Sequence, residues 1–167
     1  QYPGGVPKGS EPYWPVWLSG IPGSKDPALA ERFGNDFVRY MAFVPDAGAA
    51  FDVRQYDFDR DPPRLATMSR IYDATDPDLT AFRARGGKLL LFHGWADPIV
   101  TPQRTLEYYA AVRARMGGNE STAEFARLFM LPGVDHCGLQ AGPGAKSIEF
   151  DPLPALEAWV ERDEAPA

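Results

Sequence analysis

The sequence predicts an α/β fold with a parallel sheet, because short apolar strands alternate with helices along its second half. Residues 88–93 form an apolar run flanked by glycines, a pattern typical of a strand buried on both faces. A helix is predicted from residue 101 or 102 to residue 116, followed by a second apolar strand over residues 125–131. A last helix is predicted over residues 153–162. This order predicts helices packed on the faces of a parallel sheet.

Turn-forming residues set the limits of the two helices. Gly117-Gly118 is expected to end the first helix, and Asp151-Pro152 to begin the last one. An apolar stripe on the last helix predicts which of its sides faces the core. The stripe consists of Leu156, Trp159 and Val160.

The first half of the chain lacks this alternation. Apolar residues four positions apart predict a helix over residues 27–39, and shorter helices are predicted over residues 63–72 and 78–85. Asp76 is expected to cap the helix over residues 78–85. We interpret residues 1–85 as a connection that leads into the strand–helix unit, and not as a separate domain.

The composition limits the classes of partner. The net charge of −6 and the isoelectric point near 4.9 disfavour nucleic acid. No apolar run is long enough to span a membrane. The chain begins at Gln1 with neither Met nor a secretory signal, so we expect it to be part of a longer protein. Cys137, the only cysteine, is either a buried free thiol or half of a disulfide to another segment.

Two loops that follow the predicted strands contain the candidate functional residues. Asp97 lies just after the first strand, where it is either a turn residue or a functional acid. His136 follows the second strand. Because the carboxyl ends of neighbouring parallel strands face one crevice, an acid and a histidine there can meet. Acid before histidine is also the order of the last two members of the Ser–Asp/Glu–His triad in α/β-hydrolases.

A nucleophile is not found by the same reasoning. None of the six serines lies in a Gly-x-Ser-x-Gly elbow. Two alternatives therefore stay open: a binding module that kept the scaffold without the chemistry, and a metal-dependent hydrolase using His93, Asp97 and His136. We expect His93 to have a structural role instead, bonding the backbone at the end of the strand.

Several motifs in this order resemble the tannase and feruloyl esterase family, over nearly the whole chain and most densely from residue 76 to residue 160. In the first part they are Gly9-Ser10-Glu11 with Trp14 and Trp17, and Asp76-Pro77-Asp78-Leu79 with Phe82. In the second part they are Gly86-Gly87 through Asp97-Pro98, Tyr108-Tyr109, Pro132-Gly133 with Asp135-His136-Cys137-Gly138, and Phe150-Asp151 through Ala158-Trp159-Val160.

The resemblance implies the C-terminal portion of an α/β-hydrolase: the last parallel strands and helices of the sheet, preceded by the end of a lid insertion. Residues 1–75 would be the end of the lid and the return connection, and residues 76–167 the C-terminal part of the catalytic domain. The family hydrolyses esters of aromatic acids such as gallate and hydroxycinnamates. Asp97 would be the acid and His136 the base, with the serine outside this chain. This chain alone would then be inactive.

Further expectations follow from the same resemblance. Cys137 would form a disulfide with a cysteine beside the missing serine, which implies a secreted or periplasmic protein. Two partners are expected for this chain: the aromatic ester substrate and the N-terminal part of the same protein. No cofactor is expected in this chain, and the family's calcium site, where present, lies in the missing part of the lid. Ile99 and Val100 follow the acid and are predicted to line the acyl pocket.

Overall fold

The computed structural model describes residue 1, residues 5–138 and residues 151–167. The chain forms two compact units, one made of residues 1–14 and 76–167 and the other of residues 15–75. The described helices are α1 (Leu29–Tyr40), α2 (Ala66–Tyr72), α3 (Thr80–Ala84), α4 (Pro102–Arg115), α5 (Gly118–Ala123) and α6 (Leu153–Arg162). The described strands are β1 (Leu89–Gly94) and β2 (Ala126–Leu131).

The two strands pair in parallel, which confirms the predicted sheet type. Their register runs from Leu89 opposite Ala126 to Gly94 opposite Leu131, so both strands end at the same level. The N–H of Trp95 continues the ladder by donating to the Leu131 carbonyl at 2.9 Å. The loops that follow β1 and β2 therefore begin side by side at one edge of the sheet.

The core of this unit lies between α4 and the start of β2. Val112 and Met116 pack against Phe125 and Ala126, and all four are buried. Partly buried side chains surround this cluster, namely Leu79, Leu89, Tyr108 and Tyr109. Removing these apolar surfaces from water stabilises the crossover between the strands and so fixes their relative position.

Strand β1 is not covered on both faces by the described part of the chain. Phe92, in the middle of the strand, is 49% exposed. Within the described residues β1 has one hydrogen-bonded neighbour, β2, and nothing there covers the Phe92 side chain fully. The apolar run thus predicted the strand correctly, and its burial on both faces stays a prediction for the complete protein.

Two details around the helices differ from prediction. Asp76 does not cap α3, because that helix begins only at Thr80 and the Asp76 carboxylate accepts the N–H of Asp78 instead, at 2.9 Å. Helix α5 was not predicted. It begins at Gly118, separated by two residues from the end of α4 at Arg115, because Gly117 at φ 94° turns the chain in the left-handed region.

The last helix has the predicted limits but a narrower buried side. Its first turn is fixed by the Asp151 carboxylate, which accepts the N–H of Leu153 at 3.0 Å. Trp159 is 1% exposed and lies beneath the cations of Lys88 and Arg127, which are 5.2 Å and 5.5 Å from its ring centroid. Val160, however, is 60% exposed, so the apolar stripe does not face the core along its whole width.

The unit of residues 15–75 is mostly helical and irregular. It begins with a π-helical segment, Pro15–Ser19, against which α1 packs. Asp61 is buried there, and its pKa is held well below its usual range, first by the Arg60 guanidinium and then by the N–H of Asp57. No strand occurs in this unit, in agreement with the sequence pattern.

Candidate active site

The turn after β1 buries Asp97, whose side chain is 4% exposed. Its Oδ1 accepts the N–H groups of Ile99 and Val100, both at 2.9 Å. These bonds are those of an Asp-Pro turn, in which the carboxylate replaces a backbone acceptor. The turn role and the candidate acid role are therefore compatible, since Oδ1 serves the turn and leaves Oδ2 for other donors.

His136 lies in a short 3₁₀ turn, His136–Gly138, after β2. Its Nδ1 is 2.8 Å from Oδ2 of Asp97, a distance within the range expected for a triad hydrogen bond. Because Oδ2 is an acceptor, Nδ1 is assigned the hydrogen, and in the neutral ring Nε2 then has the lone pair. The sequence brings these residues together through the shared level of the two strand ends.

His93, the penultimate residue of β1, makes more contacts than predicted. Its Nε2 lies 3.0 Å from the Val100 carbonyl, which is the backbone bond that we expected. The same nitrogen also lies 3.2 Å from Oδ2 of Asp97, and Nδ1 lies 2.7 Å from the Thr105 hydroxyl. The spacing of four residues between His93 and Asp97, across the end of a strand, is the sequence signal for this contact.

Gly94 allows the two loops to approach each other. A Cβ at this position would lie 2.2 Å from the Val134 carbonyl oxygen and 2.8 Å from that of Asp135. In addition, the Ala96 N–H donates to the Val134 carbonyl at 2.9 Å. A side chain on residue 94 would therefore separate the loop after β1 that contains Asp97 (the acid loop) from the loop after β2 that contains His136 (the histidine loop).

Residues at the start of the chain bond to both loops. The Tyr13 hydroxyl donates to the Gly133 carbonyl at 2.6 Å, and the Thr101 hydroxyl donates to the Gly5 carbonyl at 3.2 Å. Burial and the nearby Asp135 carboxylate raise the pKa of Tyr13. Gly133 itself has φ 71°, a conformation that glycine adopts without strain. No local pattern could have revealed the Tyr13 contact, because 120 residues separate its partners.

A pocket of about 560 Å³ opens beside these residues. Val100 lines it and is 46% exposed, whereas Ile99 is not among the lining residues, so that Ile99 contributes to the site through its N–H. The Cys137 side chain lies outside the described part of the chain, as does Phe150. The pocket wall contains His93, Asp97, Asp135 and His136 among apolar residues, namely Phe92, Val100, Leu131 and Val134.

The described residues contain neither a side-chain cluster suited to a metal ion nor a membrane-spanning helix. They contain no group of three or more His, Cys, Asp or Glu side chains arranged to hold a metal ion. The three residues considered as metal ligands contact one another through hydrogen bonds: His93 Nε2 and His136 Nδ1 lie 3.2 Å and 2.8 Å from Oδ2 of Asp97. In the same part of the chain no helix is long and apolar enough to cross a membrane.

Comparisons with known proteins agree with this architecture. The chain is 36% identical to an uncharacterised esterase of Xanthomonas campestris, over 92% of this chain and 31% of that protein. It is 41% identical to mono(2-hydroxyethyl) terephthalate hydrolase of Piscinibacter sakaiensis, over 78% of this chain and 22% of that one. The crystal structure of feruloyl esterase B from Aspergillus oryzae superposes with a TM-score of 0.63 and 25% identity, covering 92% of this chain and 30% of that chain.

The chain thus spans about a third or less of each of these proteins. The superposition supports the α/β fold, with its small parallel sheet, that the sequence predicted. Residues 6–167 match the family described as tannase and feruloyl esterase. The chain therefore belongs to the tannase and feruloyl esterase family.

Proposed function

We propose that the protein is a carboxylic ester hydrolase in which Asp97 and His136 are the acid and base of a serine triad. The hydrogen bond between Asp97 Oδ2 and His136 Nδ1, at 2.8 Å, is the observation that supports this most strongly. Esterase relatives support hydrolysis of carboxylic esters in general. The nucleophilic serine would come from the part of the protein outside this chain, since no serine here lies in an elbow motif.

In this mechanism His136 accepts and returns a proton twice, once in acylation and once in deacylation. Its Nε2 takes the proton of the serine hydroxyl as the serine oxygen attacks the ester carbonyl. The imidazolium that forms is stabilised by the ionised Asp97 through Nδ1–H. It then gives the proton to the departing alkoxide, which leaves as the alcohol. In deacylation Nε2 takes a proton from water as the water oxygen attacks the acyl carbonyl, and returns it to the serine oxygen as the bond between serine and the acyl group breaks and the acid leaves.

The acyl group that we propose is aromatic. The pocket beside His136 is walled by apolar side chains with a few polar groups, which suits a ring bearing hydroxyl or carboxyl substituents. The P. sakaiensis relative is named for a terephthalate mono-ester, and the A. oryzae structure is that of a feruloyl esterase. Val100 is the residue through which we expect this chain to touch the acyl group.

The division of the chain in the complete protein is also a proposal. Residues 1–75 would be the end of a lid and its return connection, and residues 76–167 the last part of the catalytic domain. Tyr13 and Gly5 bond to the two loops of the site, so the beginning of the first segment would support the site through those loops. This chain by itself would be inactive without the serine.

We further propose a disulfide from Cys137 to a cysteine neighbouring the serine, and hence a secreted or periplasmic protein. A bridge next to His136 would tie the histidine loop to the nucleophile. Trapping free thiols in the native complete protein tests this. Cys137 should resist alkylation until a reductant is added, and rapid alkylation without reductant would contradict the disulfide.

The test of the proposed function is His136→Ala in the complete protein, assayed on an alkyl ester of a hydroxycinnamic acid. We expect kcat to fall by about 10,000-fold or more, because the serine loses its general base. The thermal unfolding temperature serves as the control for folding. An active wild-type protein whose variant keeps a tenth of its rate would contradict the triad. A complete wild-type protein that binds esters without turnover would indicate a binding module.

A further inference from the structure

His93 is largely covered beside the proposed acid but has no part in the proton transfers described above. Its side chain is 11% exposed. We propose that His93 is a positioning residue, which acts through Asp97 and is itself held by Thr105; this inference rests on the proposed function. It assigns His93 more than the backbone contact expected from the sequence.

The hydrogen of the His93 ring is located by its surroundings. Its Nε2 faces two acceptors, Oδ2 of Asp97 at 3.2 Å and the carbonyl of Val100 at 3.0 Å. Only an N–H at Nε2 satisfies both oxygens. In the neutral ring Nδ1 is then the acceptor, and the Thr105 hydroxyl at 2.7 Å is its donor. Thr105 lies in the first turn of α4, a helix of 14 residues, so it is attached to a rigid element.

The bond from His93 Nε2 to Asp97 Oδ2 completes the set of donors around the acid. Oδ1 of Asp97 accepts two backbone N–H groups, from Ile99 and Val100. Oδ2 accepts from two imidazoles, His136 at 2.8 Å and His93 at 3.2 Å. With four donors the carboxylate is held in one orientation, with Oδ2 directed at His136. Without His93 the Oδ2 side would be held by His136 alone, the group that must move its proton during catalysis.

His93 also links the acid to its own loop. By bonding the Asp97 side chain and the Val100 carbonyl through one nitrogen, it holds the two ends of the turn together. A displacement of about 1 Å in a catalytic group can cost on the order of 100-fold in rate. The loss expected on replacing His93 with Leu is therefore mainly in kcat, with little change in KM, because Leu keeps a side chain of similar size in the pocket wall and the other wall residues are unchanged.

The experiment compares two pairs of variants in the complete protein with a hydroxycinnamate ester as substrate. His93→Leu removes both ring nitrogens at similar size, whereas His93→Gln keeps an amide N–H donor near the position of Nε2. Thr105→Val removes the hydroxyl, and Thr105→Ser keeps it. We expect His93→Leu to lower kcat by about 10- to 100-fold with KM within about threefold, and His93→Gln to recover much of that rate. Thr105→Val should lose several-fold, and Thr105→Ser should recover.

Several outcomes would overturn the inference. A wild-type kcat in His93→Leu is one. A second is an equal loss of kcat in His93→Leu and His93→Gln. If that loss follows the fall in unfolding temperature, it reports stability alone. If His93→Leu does not fold, the His93→Gln variant and the two Thr105 variants decide, and a Thr105→Val rate equal to that of Thr105→Ser contradicts the proposal.

His136→Ala, measured in the same assay, separates this inference from the proposed function. If His136→Ala keeps its activity, the triad is wrong and the role of His93 falls with it. If His136→Ala is inactive while His93→Leu equals the wild type, only the role of His93 is wrong.

Discussion

The loop after β1 and the loop after β2 hold their functional side chains in different ways. Asp97 is bonded by the N–H groups of Ile99 and Val100 and by His93, all within four residues of it in sequence. The loop that contains His136 is held from a distance. Tyr13 bonds its Gly133 carbonyl across 120 residues, and Asp97 bonds His136 across 39.

The two functional side chains also differ in solvent exposure, and Asp97 is the more buried. The Asp97 side chain is 4% exposed, whereas that of His136 is 31% exposed. A buried, locally fixed acid suits a group that only orients and stabilises the imidazole. A histidine that exchanges protons with substrate must be accessible, and its position then depends on segments that pack beneath its loop. The difference teaches that Oδ1 of Asp97 is held within its own loop, whereas the histidine loop also depends on a bond to the distant Tyr13.

Gly94→Ala is expected to have the largest effect on this arrangement, since it forces the two loops apart. The new Cβ would overlap the Val134 carbonyl oxygen at 2.2 Å, and overpacking of this kind costs roughly 1–3 kcal/mol or more. We expect reduced unfolding free energy in urea and at least about 100-fold lower kcat. Gly34→Ala on α1 is the control, because its Cβ would meet nothing within 4 Å. Equal behaviour of the two variants would show that the loops do not depend on this approach.

Tyr13→Phe tests the distant support of the histidine loop and should have a moderate effect. Loss of the bond to the Gly133 carbonyl is expected to cost about 0.5–1.5 kcal/mol in unfolding free energy. A several-fold fall in kcat should accompany it if Tyr13 holds the loop in place. Tyr40→Phe, at a half-exposed position on α1, is the matched control. A stability loss without any change in kcat would limit Tyr13 to a structural role.

The same variant has an expected pH dependence. Because the folded-state pKa of Tyr13 is raised by burial and by Asp135, the folded protein retains this proton more strongly than the unfolded chain does. The stability linked to it is present below about pH 10, the usual tyrosine value, and is lost as pH rises through the higher folded pKa. Unfolding measured between about pH 9 and pH 11 should therefore be less pH-dependent in Tyr13→Phe than in the wild type. An identical slope would contradict this.

Val100→Phe is expected to have the smallest effect, confined to selectivity at the acid loop. Val100 lines the pocket and its side chain is exposed there, while its N–H holds Asp97. A larger side chain should lower kcat/KM for bulky aromatic esters relative to small ones by about fivefold, near the low end of the roughly 1–3 kcal/mol that one methylene is worth in an enclosed pocket, because Val100 is 46% exposed. An unchanged ratio would mean that Val100 does not touch the acyl group.

The contrast between the loops also explains how much the sequence could predict. Strands β1 and β2, their parallel pairing and helix α6 follow from apolar runs and turn residues, which act locally. The meeting of Asp97 and His136 follows from one tertiary rule, that neighbouring parallel strands end at the same edge. The sequence therefore predicted both the acid loop and the approach of the histidine.

What could not be predicted depends on distant packing or on backbone detail. The support of Gly133 by Tyr13 has no local pattern, and the exposure of Phe92 depends on what lies over the strand. Asp76 was assigned as a cap because Asp before Pro is a common helix start, yet the backbone begins α3 only at Thr80. Helix α5 was missed because the pair Gly117-Gly118 is a typical helix end, yet a new helix begins at Gly118.

A double-mutant cycle on Asp97 and His136 tests the central claim most directly, that the two residues act as one catalytic unit. It requires kcat of the complete protein with Asp97→Ala, with His136→Ala and with both changes. We expect each single change to cost about 10,000-fold or more, and the double variant to lose no more than His136→Ala alone, because the acid acts only through the histidine. Losses that multiply in the double variant, or an Asp97→Ala protein with near wild-type kcat, would contradict it.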